Sequence, residues 1–375
     1  MTEDLFIGLM SGTSLDGIDV ALVDFNNDGS DPTQQKPALQ TFFLPYPPSL
    51  RTQILALQHP TTNELEITEL ISNQIAQLYA EAVNQLLTST AISANKIIAI
   101  GCHGQTIRHR PGFADGIGFT LQIGNAALLA ELTNITVVAD FRSRDIAAGG
   151  QGAPLVPAFH QAMFASTQTN RAIINIGGIA NITYLGSTGE VFGFDSGPGN
   201  MLLDAWIKQH KGLDYDANGT WANSGKIIES LLTKMLAEPY FSLPSPKSTG
   251  RDLFNDKWLS KLLIDTNYLP EDVARTLVAL TAHSIYDALN NFCNEVDEIY
   301  LCGGGAHNDL LIQSLQLLLD DKKLATTDAL GVGMDWVEAI AFAWLARQCL
   351  HSKTASLPNV TGAKGARILG AIYQH

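Results

Sequence analysis

Two stretches of this chain share one pattern: a hydrophobic strand, a glycine-rich turn and a second hydrophobic strand. The first covers residues 5–25 and turns at Ser11-Gly12-Thr13-Ser14, and the second covers residues 172–185 and turns at Gly177-Gly178. Strands joined by such turns form β-hairpins. One hairpin in each half of the chain predicts two related domains that face a cleft.

Strand and helix patterns alternate along the rest of the chain. Apolar residues at helical spacing predict helices over residues 64–88, 125–132, 201–209, 274–295 and 334–350, and short apolar runs predict strands over residues 96–101, 136–139, 191–194 and 298–301. This alternation predicts an α/β fold. We expect an N-terminal domain over residues 1–130, to which a tail of about residues 355–375 returns, and a C-terminal domain over residues 131–354.

Net charge, cysteine spacing and the lengths of apolar runs argue against several classes of protein. The chain has 23 Lys and Arg against 37 Asp and Glu, a net charge of −14, which disfavours nucleic acid as a partner. The four cysteines form no CxxC pair, so neither a structural zinc site nor a disulfide framework is expected. The first residues lack the basic start of a signal peptide, and no apolar run is long enough to span a membrane. We therefore expect a soluble protein of a reducing compartment.

The first glycine turn has the composition of a phosphate-binding loop. It reads Gly12-Thr13-Ser14-Leu15-Asp16-Gly17-Ile18-Asp19. Successive backbone N–H groups in such a turn can hold phosphate oxygens, and Thr13 and Ser14 add hydroxyl donors. Asp16 and Asp19 could hold Mg²⁺ through water. A tight hairpin that only uses turn-forming residues explains the pattern equally well.

Two further glycine turns also follow predicted strands. One contains Gly177, Gly178 and Asn181, and the other contains Gly303, Gly304 and Gly305. Glycines there let a ligand approach the backbone, and three glycines before a helix suit a nucleotide base with phosphates near the helix N-terminus. Each turn alone is weak evidence, but three together favour a nucleotide cleft over coincidental turns.

Asp195 ends a predicted hydrophobic strand and is the candidate general base. A carboxyl group at the end of a strand that borders a cleft is shielded from solvent on one side and faces the substrate on the other. The alternative is that Asp195 caps the following helix, but Asn200 is better placed for that role.

Several polar residues are candidates for contacts with a sugar. His103 and Gln105 follow the predicted strand over residues 96–101 and could bind hydroxyls, although His103 could equally be a satisfied, partly buried histidine. Glu338 interrupts an apolar helix face, so it must be paired or face the cleft. The remaining candidates are Arg142, Gln151 and Gly152, in a stretch that could instead contain a surface ion-pair network of two arginines and two acids.

The chain resembles the anhydro-N-acetylmuramic acid kinase family of the actin-like ATPase and sugar-kinase superfamily, essentially from end to end. The residues that carry the resemblance are GLMSGTSLDGID at 8–19, GCHGQTIRH at 101–109, LQIGNAALLAE at 121–131, VADFRSRDIAAGGQGAPLVPAFH at 138–160, NIGGIANIT at 175–183, GFDSGPGNMLLDAW at 193–206, PKSTGRDLFN at 246–255, CGGGAHN at 302–308 and VTGAKGARILG at 360–370. Ser196 stands where threonine or cysteine is common in the family.

The resemblance implies a two-domain actin-like ATPase fold and a specific reaction. ATP, water and 1,6-anhydro-N-acetylmuramic acid give N-acetylmuramic acid 6-phosphate and ADP, in cell-wall recycling. It implies that residues 12–19 and 175–181 bind phosphates, that residues 303–305 bind adenosine, and that Asp195 is the catalytic aspartate. It also implies Mg²⁺, a homodimer and a cytoplasmic location.

Two other functions remain open from the sequence. One is an ordinary sugar kinase that phosphorylates a free hydroxyl. The other is a nucleotide-switched, actin-like structural or regulatory protein, which would hydrolyse ATP slowly and ignore sugars.

Overall fold

The computed structural model describes residues 4–12, 14–26, 38–60, 62–112, 116–245, 247–293, 295–320 and 322–375. The strands are β1 (Leu5–Ser11), β2 (Gly17–Asp24), β3 (Ala38–Pro45), β4 (Ala99–Arg110), β5 (Phe119–Ile123), β6 (Val137–Ala139), β7 (Arg171–Ile176), β8 (Ile179–Leu185), β9 (Val191–Pro198), β10 (Glu298–Cys302), β11 (Lys323–Thr326) and β12 (Ala371–Tyr373). The α-helices are α1 (Pro48–Leu57), α2 (Glu64–Thr90), α3 (Ala126–Thr133), α4 (Ser143–Ala147), α5 (Val156–Phe164), α6 (Met201–Lys211), α7 (Glu229–Leu236), α8 (Asp256–Leu262), α9 (Pro270–Phe292), α10 (Asp309–Leu319), α11 (Val337–Leu350) and α12 (Pro358–Thr361).

The chain divides into two compact units. Unit 1 contains Met1–Met163, Leu330–Val332 and Trp336–His375, and unit 2 contains Phe164–Ala329 and Gly333–Asp335. These bounds differ from the domains expected from the sequence, because β6 pairs with β4 of the first sheet and α11 packs on β1 and β4. The return of the C-terminal tail is visible in the pairing of β12 with β6.

Unit 1 is built on a sheet with the order β12-β6-β4-β1-β2-β3, and β5 pairs with β4 beside this path. Alternate residues of β1, including Ile7 and Leu9, join residues of α2 in a hydrophobic core on one face. Helix α11 covers the opposite face. Its backbone comes so close that a Cβ at Gly8 or Gly101 would overlap the carbonyl oxygens of Ala339 and Phe342. Glycine at these two strand positions is therefore required for the helix to pack on the sheet.

Unit 2 is built on a sheet with the order β11-β10-β7-β8-β9. Residues of β7, β8 and β9 that point to one face, such as Ile174, Ile182 and Phe194, pack with α6, α9 and α10 in the largest core cluster. Asn308 caps α10 by accepting a hydrogen bond from the N–H of Leu311 at 3.1 Å.

The two sheets share one strand order, which confirms the predicted duplication within an α/β fold. In unit 1, β3, β2 and β1 are antiparallel neighbours and β4 lies parallel to β1, with β6 parallel to β4. In unit 2, β9, β8 and β7 are antiparallel neighbours and β10 lies parallel to β7, with β11 parallel to β10. Both hairpins predicted from glycine turns are present.

Several element bounds predicted from the sequence are wrong. Strand β4 continues to Arg110 because β5 pairs with its second half, so His103 and Gln105 lie inside a strand. Strand β9 continues to Pro198, so Asp195 also lies inside a strand and not at its end. Helix α11 begins at Val337 and not at residue 334, because the carbonyl of Met334 accepts a hydrogen bond from the N–H of Gly303.

The four cysteines are free and buried. Among the residues that the structure describes, no helix is both long enough and apolar enough to cross a bilayer.

Candidate active site

Asp195 belongs to a row of three polar side chains that crosses the sheet of unit 2. It pairs with Asn181 of β8, and Asn181 pairs with Asn175 of β7. Residues directly opposite each other on antiparallel strands have their side chains on one face. All three are partly exposed, whereas the strand neighbours Phe194 and Ile182 are buried in the core cluster. The polar row therefore lies on the face opposite that core.

The carboxylate of Asp195 is held by a segment that runs beside β9. The N–H of Thr249 donates to Asp195 Oδ2 at 2.9 Å, and the N–H of Asp195 donates to the carbonyl of Lys247 at 3.1 Å. Burial raises the pKa of Asp195 to about 6, although the Thr249 hydrogen bond and the Lys247 charge act in the opposite direction. A carboxylate with this pKa is ionised at neutral pH and still accepts a proton readily.

Asp195 does not cap helix α6. The N-cap position is occupied by Asn200, as predicted. The side chain of Asn200 does not bond to the helix; its Nδ2 donates to the carbonyl of Ile176 at 3.4 Å. Asp195 is therefore available for chemistry, and Asn200 is bonded to the end of β7.

The second and third glycine turns lie together at the carboxyl ends of the neighbouring parallel strands β7 and β10. Asn175 pairs with Cys302 at the last position of this ladder. Gly303 follows with a φ of +80°, and a Cβ there would overlap the Asn175 side chain. Gly305 also needs to be glycine, because a Cβ would overlap the side chain of Ile176. These two glycines explain how the turns pack on each other.

Three other glycines in these turns could carry a Cβ without a clash. A Cβ on Gly177 or Gly178 would meet nothing closer than 3.6 Å, and one on Gly304 would have Asn200 Nδ2 at 3.7 Å as its nearest neighbour. Protein packing therefore does not require glycine at these positions. Close approach of a ligand to the backbone does account for it.

The first glycine turn is stabilised by its own side chains. Ser14 Oγ donates to Asp16 Oδ1 at 2.6 Å, and the N–H of Gly17 donates to the same oxygen at 3.0 Å. Thr13 lies outside the described residues. The arrangement is a side-chain-stabilised turn of the kind that aspartate and serine favour.

Only some residues of the first turn are open to a ligand. Leu15, with a φ of +57°, and Ile18 have side chains buried in the core, so they could offer a ligand only their backbone N–H groups. A Cβ on Gly17 would lie 2.7 Å from the ring of Phe43, so this glycine is needed for packing. A Cβ on Gly12 would find its nearest neighbour at 3.6 Å.

Gln105 holds the first turn through a hydrogen bond to its backbone. Its Nε2 donates to the carbonyl of Gly12 at 3.1 Å, and Tyr46 Oη donates to its Oε1 at 3.4 Å. Next to it, Ser11 Oγ and Tyr79 Oη are 2.5 Å apart. The side chain of Gln105 is fully buried, so in this structure it supports the turn and does not present its amide to a sugar.

Arg142 is at the centre of the remaining candidates in unit 1. Its Nε and Nη2 lie 3.1 and 2.9 Å from His103 Nε2, and its Nη1 donates to the carbonyl of Gly152 at 2.7 Å. Burial and the charge of Arg142 lower the pKa of His103 to about 3, so His103 is a neutral acceptor. Burial lowers the pKa of Arg142 to about 10, opposed by attraction to Glu338. The structure therefore brings four predicted substrate-binding residues together.

The alternative of a surface ion-pair network in this stretch is wrong. Asp145 is fully buried, and its two oxygens accept from the N–H of Gly152 and from Thr361 Oγ1, both at 2.8 Å. Arg144 is exposed. Gln151 is exposed as well, and its N–H donates to the carbonyl of Thr361 at 2.7 Å. Asp145 thus fixes the loop that carries Gln151.

The two predicted magnesium ligands lie at the first turn. Asp16 is exposed and Asp19 is partly exposed at the start of β2. Within the described parts of the chain, no three His, Cys, Asp or Glu side chains gather to hold a metal ion. Magnesium that keeps its water and binds mainly to nucleotide phosphates needs only one or two carboxylates, so these residues fit such a site.

Comparison with known proteins decides the family. The family model for anhydro-N-acetylmuramic acid kinase matches residues 4–375. The anhydro-N-acetylmuramic acid kinase of Nitrosomonas europaea is 54% identical over 368 residues, which cover 98% of this chain and 99% of that relative. This chain belongs to the anhydro-N-acetylmuramic acid kinase family. The resemblance stated from the sequence is confirmed.

Other members of the anhydro-N-acetylmuramic acid kinase family match over equally long stretches. The one from Nitrosospira multiformis is 52% identical over 373 residues, which cover 100% of both chains. Among solved structures, a ROK family glucokinase from Streptomyces griseus matches with a TM-score of 0.42 at 15% identity, covering 92% of this chain and 99% of that chain.

For this anhydro-N-acetylmuramic acid kinase family member, sequence reasoning missed the residues that hold Asp195. Thr249, Lys247 and Tyr240 lie 45 to 54 residues away along the chain, and Tyr240 Oη donates to the carbonyl of Asp195 at 2.7 Å. Lys247 and Thr249 belong to the stretch PKSTGRDLFN, which carried the family resemblance. Their place in that stretch was the sequence signal that could have revealed these two residues.

Proposed function

We propose that this chain is an ATP-dependent kinase that opens 1,6-anhydro-N-acetylmuramic acid with water and phosphorylates O6. The products are N-acetylmuramic acid 6-phosphate and ADP, and the reaction belongs to peptidoglycan recycling and amino sugar catabolism. Family membership over residues 4–375 supports the substrate class. The observation that carries the mechanism is Asp195, a carboxylate with a raised pKa on the open face of its sheet.

The substrate sets the requirement for a base. In the anhydro sugar, O6 is bonded to C1 and has no proton to lose. Water therefore attacks C1 while the C1–O6 bond breaks, and O6 attacks the γ-phosphate of ATP. Asp195 accepts the proton from that water, so one carboxylate serves both events. Attack on the face opposite O6 inverts C1 and gives the α anomer.

ATP is held mainly by backbone groups. We assign its phosphates to the first turn (Gly12, Thr13, Ser14, Leu15, Asp16, Gly17, Ile18 and Asp19) and to Gly177, Gly178 and Asn181. Its adenosine is assigned to Gly303, Gly304 and Gly305. A Cβ would fit without a clash at Gly12, Gly177, Gly178 and Gly304, so protein packing does not explain these glycines, which supports this assignment. Phosphoryl transfer depends on positioning and charge neutralisation, which such turns supply.

The sugar is assigned to the group around Arg142. Its guanidinium is fixed by His103 and the carbonyl of Gly152 and attracted by Glu338. It suits an acceptor group such as a carboxylate or a hydroxyl. Gln151 offers an exposed amide beside it. Gln105 acts through Gly12, as a positioning residue.

Three further features belong to the proposal. Mg²⁺, held through water by Asp16 and Asp19, supplies charge neutralisation for the ATP phosphates. The chain works as a homodimer and in the cytoplasm. No nucleic acid or membrane takes part in the reaction.

The test is ATP turnover with the anhydro sugar, with open N-acetylmuramic acid and without a sugar. The proposal expects ADP and a sugar phosphate from the anhydro sugar, and no comparable product from open N-acetylmuramic acid. Phosphorylation of the open sugar alone would favour an ordinary sugar kinase. Slow ADP release that no sugar accelerates would favour a nucleotide-switched protein.

A further inference from the structure

Lys247 extends from the segment beside β9 into a cage of aromatic rings that includes Phe194, the residue before Asp195. Its Nζ lies 4.8 Å from the ring centroid of Phe292, 4.9 Å from that of Tyr240 and 5.8 Å from that of Phe194. It donates to the carbonyls of Tyr240 at 3.3 Å and Phe241 at 3.1 Å. Aromatic faces and carbonyl oxygens both attract an ammonium ion.

The residues around this cage are bonded to Asp195 at three points. The carbonyl of Lys247 accepts from the N–H of Asp195, and the N–H of Thr249 donates to the carboxylate. Tyr240, which forms one side of the cage, donates its hydroxyl to the Asp195 carbonyl. The ammonium thus ties residues 240–241 to the segment that holds the carboxylate.

We propose that Lys247 is a positioning residue for Asp195, whose caged ammonium group fixes the Thr249 N–H on the carboxylate. The role rests on the proposed function of Asp195 as the general base. No contact between Lys247 and a substrate is required.

The charges around Asp195 support this role. Lys247 lowers the pKa of Asp195, against the stronger effect of burial, and Asp195 in turn raises the pKa of Lys247, which burial lowers. Tyr240 also faces Asp195, and its pKa is raised by burial and by the Asp195 charge, so it stays neutral. Lys247 is therefore the cation that favours the ionised base.

The first experiment replaces Lys247 by methionine, which keeps the apolar stem and removes the charge. The acid limb of kcat/KM against pH should move from about 6 toward 7, since the loosened segment no longer holds the Thr249 N–H on the carboxylate and the loss of a hydrogen bond to the charged form raises a carboxyl pKa by about one unit. Activity at pH 5 should then fall about tenfold further than at pH 8. Lys257→Met, on the exposed side of α8, should leave the profile unchanged. An unshifted limb in a folded Lys247→Met protein would overturn the proposal.

The Tyr240→Phe variant separates the effect of the Lys247 ammonium from that of the Tyr240 hydroxyl. It removes the hydrogen bond to the Asp195 carbonyl and keeps the ring and the ammonium. We expect a lower rate with the acid limb still near 6. If Tyr240→Phe moves the limb as far as Lys247→Met, the caged ammonium has no role of its own and the proposal is wrong.

A second measurement depends neither on catalysis nor on the Met variant. In the protein labelled with ¹³C at lysine Cε, the Lys247 signal is assigned with Lys247→Arg and titrated with and without Asp195→Asn. The Asn change should lower the Lys247 midpoint, because it removes a neighbouring negative charge. An unchanged midpoint would contradict the coupling even if the kinase activity is as proposed. A lowered midpoint in a protein without kinase activity would refute the proposed function and not the coupling.

Discussion

The backbone N–H of Thr249 hydrogen-bonds Asp195 Oδ2 at 2.9 Å, across 54 residues of sequence. This bond fixes one oxygen of the carboxylate. It leaves the second oxygen as the one that can take a proton from water. The resulting directionality is what a general base requires.

Replacing Asp195 by asparagine tests that role directly. The amide keeps the shape of the side chain and can still accept from Thr249, but it cannot take up the proton. Ring opening and phosphorylation should be lost together, by roughly 10²–10⁴-fold. ATP binding, measured by calorimetry, should be retained. An Asn variant that still opens the ring would show that another group is the base.

The same substitution should not destabilise the protein at alkaline pH. The folded-state pKa of Asp195 is raised, so ionisation costs stability as the pH rises from about 4 to about 6. Asp195→Asn removes that cost. Its melting temperature should equal or exceed that of the wild type at pH 8, and the difference should shrink toward pH 4. A marked loss of stability at pH 8 would mean that the carboxylate is structural.

The pH dependence of catalysis follows from the same group. The ionised carboxylate is the active form, so kcat/KM should fall about tenfold per pH unit below about 6 and level off above it. A profile that is flat down to pH 4.5 would exclude Asp195 as the titrating base. The residual activity of Asp195→Asn should lack this limb.

The duplicated fold could be predicted from the sequence because its signals are local. Glycine turns between apolar strands mark β1–β2 and β7–β8, and both hairpins are present. The bounds of β4 and β9 could not be predicted in the same way. Each strand is extended by hydrogen bonding to a neighbouring strand, β5 for β4 and β8 for β9, over polar residues such as Gln105 and Asp195 that lack an apolar strand pattern.

The sequence predicts individual residues of the candidate site but not the contacts between them. Asp195 and Arg142 stand out by residue type and position, but their partners come from distant segments. Gln105 illustrates the limit: its sequence position after an apolar run suggested a hydroxyl contact, whereas the bulge between β1 and β4 directs its amide to the carbonyl of Gly12.

Gly12 and Gly17 should respond differently to substitution, although both belong to the first turn. A Cβ fits at Gly12, with its nearest neighbour at 3.6 Å. Gly12→Val should therefore fold and lose ATP turnover, because the side chain fills the space of phosphate oxygens. Gly17→Ala should instead lose stability, because its Cβ would overlap the carbonyl oxygen of Leu44, a backbone atom that cannot rotate away.

Gly112→Val provides the control for Gly12→Val. A Cβ at Gly112 would meet no atom within 4 Å, so this variant should keep both its fold and its activity. Thermal melts and ATP assays on the three variants separate the two effects. Near-normal turnover in Gly12→Val would remove the phosphate role of the first turn.

Because of Glu298, the stability of unit 2 should depend on pH in the acid range. Burial would raise its pKa, but hydrogen bonds from Lys323 at 2.7 Å, Arg171 at 2.8 Å and Tyr300 at 3.0 Å lower it to about 2. A lowered pKa stabilises the fold above the unfolded value of about 4.5, and this contribution disappears as the pH falls toward 2.

Glu298→Gln should therefore cost about 1 kcal/mol of unfolding free energy at pH 7, because solvent screens a partly exposed ion pair, and less than half of that near pH 3. The exposed Glu131→Gln serves as the control and should cost little at either pH. Denaturant melts at the two pH values measure the difference. An equal loss at both would mean that the charge of Glu298 is unimportant.

The most direct measurement of the central claim is the fate of oxygen from heavy-oxygen water during turnover of the anhydro sugar with ATP. The reaction is quenched early and the product is analysed by mass spectrometry and NMR. If Asp195 activates water at C1 while O6 attacks the γ-phosphate, the label appears on the C1 hydroxyl of the α anomer and none appears on the phosphate. Label on the phosphate, or an unlabelled C1, would contradict this mechanism.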